Sequence, residues 1–142
     1  MHIIVYISEY TGRDEDVESD LADIAKLAQI NNVEAQITGL LFYHDRHFLQ
    51  VIEAKQVTLE NLMDILANDP RHKNIERIVD ESIPVRSFSD WHMASFNLSD
   101  DEPLLPEEIK KITELFKDNV SIASAGGDLL MGFYRAKLTK SL

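Results

Sequence analysis

The chain of 142 residues contains no cysteine. Disulfide frameworks, thiolate zinc sites, iron–sulfur clusters and thiol nucleophiles are therefore excluded, and a cytoplasmic setting fits. There is also no uninterrupted apolar run of the roughly 18 residues that a membrane-spanning helix needs. The opening segment, Met1 to Ser8 (MHIIVYIS), lacks the basic leader and small-residue cleavage site of a secretory signal. Basic residues are scarce, with 14 Lys and Arg against 25 Asp and Glu, for a formal net charge of −11. A nucleic-acid binder needs a basic face to replace phosphate counterions, and an anionic membrane surface asks for the same. Neither partner is expected. The acidic balance favours solubility and a partner with a basic patch.

What remains is a 44% hydrophobic, 27% charged chain, long enough for one domain with a sizeable core. Residues 2–8 are β-branched and compact, a buried strand. Residues 9–18 are polar and read as a loop. Ser19 and Asp20 are candidate caps for a helix carrying Leu21, Ile24, Ala25 and Ala28, with Asn31-Asn32 as its end signal. Strands follow at 37–43 and 48–53, joined by a hairpin turn at His44-Asp45-Arg46-His47. Residues 57–67 form a second amphipathic helix, with Leu59, Leu62, Met63 and Leu66 at helical spacing, Thr58 near its start and Pro70 past its exit. Strands at 75–83 and 87–97 complete a βαββαββ order. The expected fold is α+β: a ferredoxin-like sandwich with a five-stranded mixed sheet and two helices on one face.

Ser99 to Pro103 is a polar break. It divides the chain into an expected domain at 1–98 and a helical extension at 99–142. Pro106-Glu107-Glu108 suits a helix N-terminus, and a second short helix is expected over about 127–138, beyond Gly126-Gly127. Apolar faces on these helices are expected to cover the sheet or to make oligomer contacts.

Several separated segments resemble the BLUF family of flavin-binding blue-light sensors. They are Tyr6-x-Ser8, the stretch Asn32 to Tyr43 with Thr38-Gly39, the strand Phe48-Leu49-Gln50-Val51-Ile52-Glu53, the turn Asp69-Pro70-Arg71-His72, and Trp91-His92-Met93. Together they span about residues 2–98. Their order, with Asn32 eighteen positions before Gln50, makes the combination specific. Three turns depart from the family pattern. Asp45-Arg46-His47 stands where glycine is common, Glu53-Ala54 replaces Glu-Gly, and the loop after Tyr6 is long. Turn positions that need positive φ are harder to form without glycine.

The resemblance implies a flavin, FAD in preference to FMN or riboflavin, held between the two helices. It implies that Tyr6 gives an electron to the photoexcited flavin and that Gln50, between the phenol and the flavin edge, rearranges its hydrogen bonds. It also implies that Asn32 binds the carbonyl edge and that Ile24 and Leu66 contact the ring. Arg71, Asp69 and His72 would stabilise the cofactor's polar side, and Trp91 and Met93 would carry the change to the last strand and the C-terminal helices. A homo-oligomer and a separate, response-regulator-like signalling partner follow by the same analogy.

The chemistry suits these residue types. An amide is nearly symmetric in shape and opposite in polarity at its two ends, so Gln50 can exchange donor for acceptor with little movement. A tyrosine can lose its phenolic proton as its electron leaves. Taken singly, each residue also has an ordinary role. Tyr6 could be plain core, Gln50 could face solvent, Asn32 could cap a helix, Arg71-His72 could be a solvated turn, and Trp91 and Met93 could be core or interface. Two other functions compete with photosensing: a light-independent flavin-binding regulator and an acylphosphatase-like enzyme. The second would need an arginine and a glycine-rich cradle near the N-terminus, but Arg13 sits among acids. His44 and His47 lack further ligands at a diagnostic spacing, so no functional metal is expected.

Overall fold

The computed structural model describes residues 1–86 and 92–97. Trp91, the expected strand residues 87–91, the break at 99–103 and both expected C-terminal helices lie outside the described residues. In chain order the elements are β1 (His2–Tyr10), a 3₁₀ turn (Asp14–Asp16), α1 (Val17–Ala35), β2 (Thr38–His44), β3 (His47–Ala54), α2 (Gln56–Ala67), β4 (His72–Ser82) and β5 (His92–Asn97). The sheet runs β4-β1-β3-β2-β5. Its first four strands pair antiparallel, and β5 joins β2 in parallel, which makes the sheet mixed. Two split βαβ units interleave, because β1-α1-β2 leaves room for β3, and β3-α2-β4 leaves room for β1.

Both helices pack on one face. Ile4, Tyr6, Leu41, Phe48 and Ile52 from the sheet form one buried cluster with Leu21 of α1 and with Leu59 and Met63 of α2. Residues of the opposite parity, among them Ile3, Val5, Leu40, Phe42, Leu49 and Val51, are also buried. Each such side chain contributes on the order of 2 kcal/mol of transfer free energy.

Several local expectations are corrected. α1 does not stop at Asn31-Asn32. It runs on to Ala35 and ends where Gln36 adopts the left-handed conformation (φ 57°, ψ 42°). The Gln36 N–H then reaches the carbonyls of Asn32 and Val33, which satisfies the helix end. Ser19 and Asp20 lie inside the first helical turns, and Asp16 holds the cap position. Asp20 instead accepts a 2.5 Å hydrogen bond from the Tyr10 hydroxyl. The expected loop at 9–18 gives its first two residues to β1 and its last two to α1, and β4 starts at His72 rather than at residue 75.

The hairpin between β2 and β3 keeps its two-residue turn despite lacking glycine. Asp45 (φ 47°) and Arg46 (φ 69°) are both left-handed, the conformation that matches the twist of the flanking strands. Contacts from Arg46 offset the strain. Its guanidinium reaches Asp14 at 2.9 Å and the Tyr10 carbonyl at 3.1 Å, and it lies 5.1 Å from the Tyr10 ring centroid.

At Gly39 the β3 backbone comes too close to leave room for a side chain. A methyl group at this position would lie 1.9 Å from the Val51 carbonyl oxygen. The substitution Gly39→Ala is expected to destabilise the fold by at least about 2 kcal/mol, read as a lower urea midpoint. An unchanged midpoint would contradict this packing.

Candidate functional site

A cavity of ≈ 200 Å³ opens between α1 and α2, with the sheet as its floor. The spacing of each helix builds its walls. Ile24, Leu27, Ala28 and Asn31 line it from successive turns of α1, and Leu62, Ile65 and Leu66 line it from α2. The floor is Tyr6, Leu41, Phe48 and Gln50. Strand register explains that set: Tyr6 lies directly across from Gln50 on β3, and Gln50 directly across from Leu41 on β2. Residues opposite one another share a face, so the pairing brings phenol and amide together.

The Tyr6 hydroxyl donates a hydrogen bond to Gln50 Oε1, and both side chains are buried. At its other end the Gln50 Nε2 donates to Met93 Sδ at 3.4 Å. A thioether is a weak acceptor, so one end of this amide is firmly held and the other loosely. Burial, reinforced by the Asp69 charge, pushes the Tyr6 phenol far above its ordinary pKa. The phenol is thus protonated in the resting protein. Gln50 does not face solvent as a strand glutamine ordinarily would, because it lies on the face of β3 that α1 and α2 cover.

Asn32 is not a helix cap. It projects from within α1 into the cavity, only 3% exposed, and its Nδ2 finds no hydrogen-bond partner among the described residues. An unmade buried hydrogen bond costs about 1–3 kcal/mol, and a ligand carbonyl would recover that.

The turn after α2 supplies the charged rim. Arg71 clamps Asp69 through Nε at 3.0 Å and Nη2 at 2.6 Å, and the Arg71 backbone N–H bonds the same carboxylate. The Arg71 side-chain hydrogen bond holds the Asp69 carboxyl below its ordinary pKa, with burial opposing, and keeps the guanidinium charged. His72 also lines the cavity, but both ring nitrogens are engaged: Nε2 lies 2.6 Å from the Leu66 carbonyl and Nδ1 2.8 Å from the Ser8 hydroxyl. The carbonyl can only accept, so Nε2 carries the proton. The ring ties the end of α2 to β1.

Met93 is wholly buried on β5. Its φ of 101° is unusual for a side-chain-bearing residue, and such strain costs about 1–3 kcal/mol. The structure therefore assembles Tyr6, Ile24, Asn32, Gln50, Leu66, Asp69, Arg71 and His72 around one cavity and places Met93 beside Gln50. Trp91 lies outside the described residues. Sequence reasoning missed Gln29 of α1, whose Nε2 donates to the Met93 carbonyl at 3.3 Å; a polar residue at this helix position carries no distinguishing pattern. Arg13, the residue nearest to an acylphosphatase cradle, is exposed and paired with Glu15 and Asp16.

An apolar slot with one polar, hydrogen-bonding edge defines a binding module for a flat heteroaromatic ligand. Residues 1–94 match the family model described as BLUF, sensors of blue-light using FAD. The photoactivated adenylate cyclase subunit beta of Euglena gracilis is 30% identical over 133 residues, 91% of this chain, which spans only 16% of that protein's length. The blue light- and temperature-regulated antirepressor BluF of Escherichia coli is 27% identical over 61% of this chain, which spans 21% of that protein. Two solved structures have a TM-score of 0.67. They are BlrB, a BLUF protein in its dark state, at 26% identity over 99% of this chain and 96% of that one, and photo-activated BlsA, at 27% over 94% and 91%. The chain belongs to the BLUF family of blue-light sensors. Its cleft fits a flavin, since the apolar walls match the ring faces and the orphaned Asn32 amide matches a carbonyl edge.

The rim pair sets a pH dependence. Because the folded Asp69 pKa lies below the unfolded value of about 3.9, its contribution to stability is complete above that value and is lost as pH falls through the folded pKa. Asp69→Asn is expected to lower the urea midpoint at pH 7 slightly, by about 1 kcal/mol at most. The same substitution should shrink the loss of stability as pH falls below about 4, and an unaltered acid profile would argue against the pairing.

Proposed function

We propose that this chain is a non-enzymatic blue-light sensor that holds FAD in the cleft between α1 and α2 and signals to a separate protein. The observation that carries the reading is the buried Tyr6–Gln50 hydrogen bond on the floor of that cleft. Ile24 and Leu66 serve as walls, Asn32 as the polar contact its free amide calls for, and Arg71 as the rim cation, braced by Asp69 and His72. When bound, the flavin supplies blue-light absorption and, once excited, an oxidant for a neighbouring phenol.

Tyr6 acts as the electron donor. Its phenol starts protonated and hydrogen-bonded to Gln50 Oε1, so electron loss releases the proton toward that oxygen. The Gln50 amide responds by tautomerising or turning, which exchanges its donor and acceptor ends, and Tyr6 then regains its electron and a proton, so that only the hydrogen bonds are left changed. The weak bond to Met93 Sδ is then the first to go. Two or three altered hydrogen bonds, at roughly 1 kcal/mol each, are enough to move a two-state population by a decade or more. Met93 and Trp91 pass the change to β5 and the C-terminal segment.

FAD is preferred because the family description names it, although one relative's structure, at 27% identity, is described with FMN. The receiver of the signal is a separate protein, response-regulator-like by family analogy. A homo-oligomer in the cytoplasm is the proposed assembly and compartment; among the described residues, no helix is long and apolar enough to cross a membrane.

Purified protein is expected to be yellow, with absorption that moves reversibly to longer wavelength under blue light. Tyr6→Phe and Gln50→Leu should retain flavin and lose the shift. Asn32→Ala should weaken flavin binding about fivefold, the worth of one hydrogen bond. A colourless protein that cannot be reconstituted, or a normal shift in either of the first two variants, would refute these roles.

A further inference from the structure

Between β2 and β5 the register slips. Gly39 pairs with His92 and Leu40 with Ala94, so Met93 has no partner on β2. It is the extra residue of a bulge, with φ of 101° and a fully buried side chain. Two amides hold it, one at the side chain and one at the backbone. Gln50 Nε2 donates to its sulfur at 3.4 Å, and Gln29 Nε2 donates to its carbonyl at 3.3 Å. Gln29 belongs to α1, the helix that packs along β5, and does not line the cavity.

We propose that Gln29 is a positioning residue that transmits the Gln50 rearrangement through the Met93 bulge into α1. The inference rests on the light-sensing reading above. When the Gln50 amide turns, an oxygen replaces the N–H that faced the sulfur, and the attraction becomes a repulsion between lone pairs. A bulge residue has no strand partner opposite it, so Met93 can shift without breaking a pair of the β2–β5 ladder. Its carbonyl then moves relative to the Gln29 amide, and α1 loses a tie to the sheet at mid-helix. The signal thus leaves the site by a helix as well as by β5.

The test uses the full chain loaded with FAD and three variants: Gln29→Ala, Gln29→Glu and Gln29→Lys. Glutamate keeps the length but cannot donate to a carbonyl, whereas lysine restores a donor; all three replacements are good helix formers. A purely structural role would therefore not separate Glu from Lys. Dark spectra and the size of the light-induced shift should match wild type in all three. Thermal recovery after a blue pulse should slow about fivefold in Gln29→Ala and Gln29→Glu and stay near wild type in Gln29→Lys. Amide hydrogen exchange across α1 should rise in the light in wild type and Gln29→Lys, and should show no light–dark difference in the other two. A wild type that shifts normally, with Gln29→Ala and Gln29→Glu matching its recovery and its exchange difference, overturns the coupling and leaves the sensor reading intact. A wild type with no shift at all removes both.

Discussion

A phenol donating to an amide oxygen on a dry sheet surface is the interaction on which the rest of this protein depends. Tyr6 and Gln50 face each other across β1 and β3, two inner strands, and the sheet register sets them side by side. In water the same bond would be one of many equivalent ones. Here no solvent competes, so which end of the amide points at the phenol becomes a property of the whole protein. The weakness of the opposite contact, to the Met93 sulfur, matters equally. An amide held strongly at both ends would be locked.

The cleft is built to keep that bond dry while remaining open to a flat ligand. Helical spacing lays apolar residues of α1 and α2 along its sides, and the extension of α1 past Asn32 puts a polar group inside it. His72 closes one end by joining the last turn of α2 to β1. A separate network supports the edge strand: Arg77 clamps Glu60 of α2 and Asp80 of β4, and Asp80 also meets His2 of β1 at 2.5 Å. These contacts hold α2 and β4 in place without touching the site.

Much of the architecture was legible in residue pattern. Apolar spacing identified both helices, β-branched runs identified the strands, and the order of Tyr6, Asn32, Gln50, Arg71 and Met93 pointed to the family. Boundaries were less legible. Asn31-Asn32 looked like a helix stop because asparagine tolerates left-handed backbone, yet the stop came four residues later at Gln36, whose side chain carries no such signal. The tight turn at Asp45-Arg46 was expected to suffer for want of glycine; salt-bridge, carbonyl and ring contacts of Arg46 compensate from residues distant in sequence.

The sequence by itself determined the fold class and the helix faces, because these follow from spacing and side-chain type, and through its family resemblance it pointed to the residues that line the cleft. Only the tertiary structure decided that Gln50 is buried, that Asn32 has an unpartnered amide, and that Met93 sits in a bulge held by Gln29. The physical reason is that alternation along a strand distinguishes its faces only when one of them meets water. In β1 and β3 both faces are covered, so orientation is set by strand register and helix packing, which no local pattern encodes.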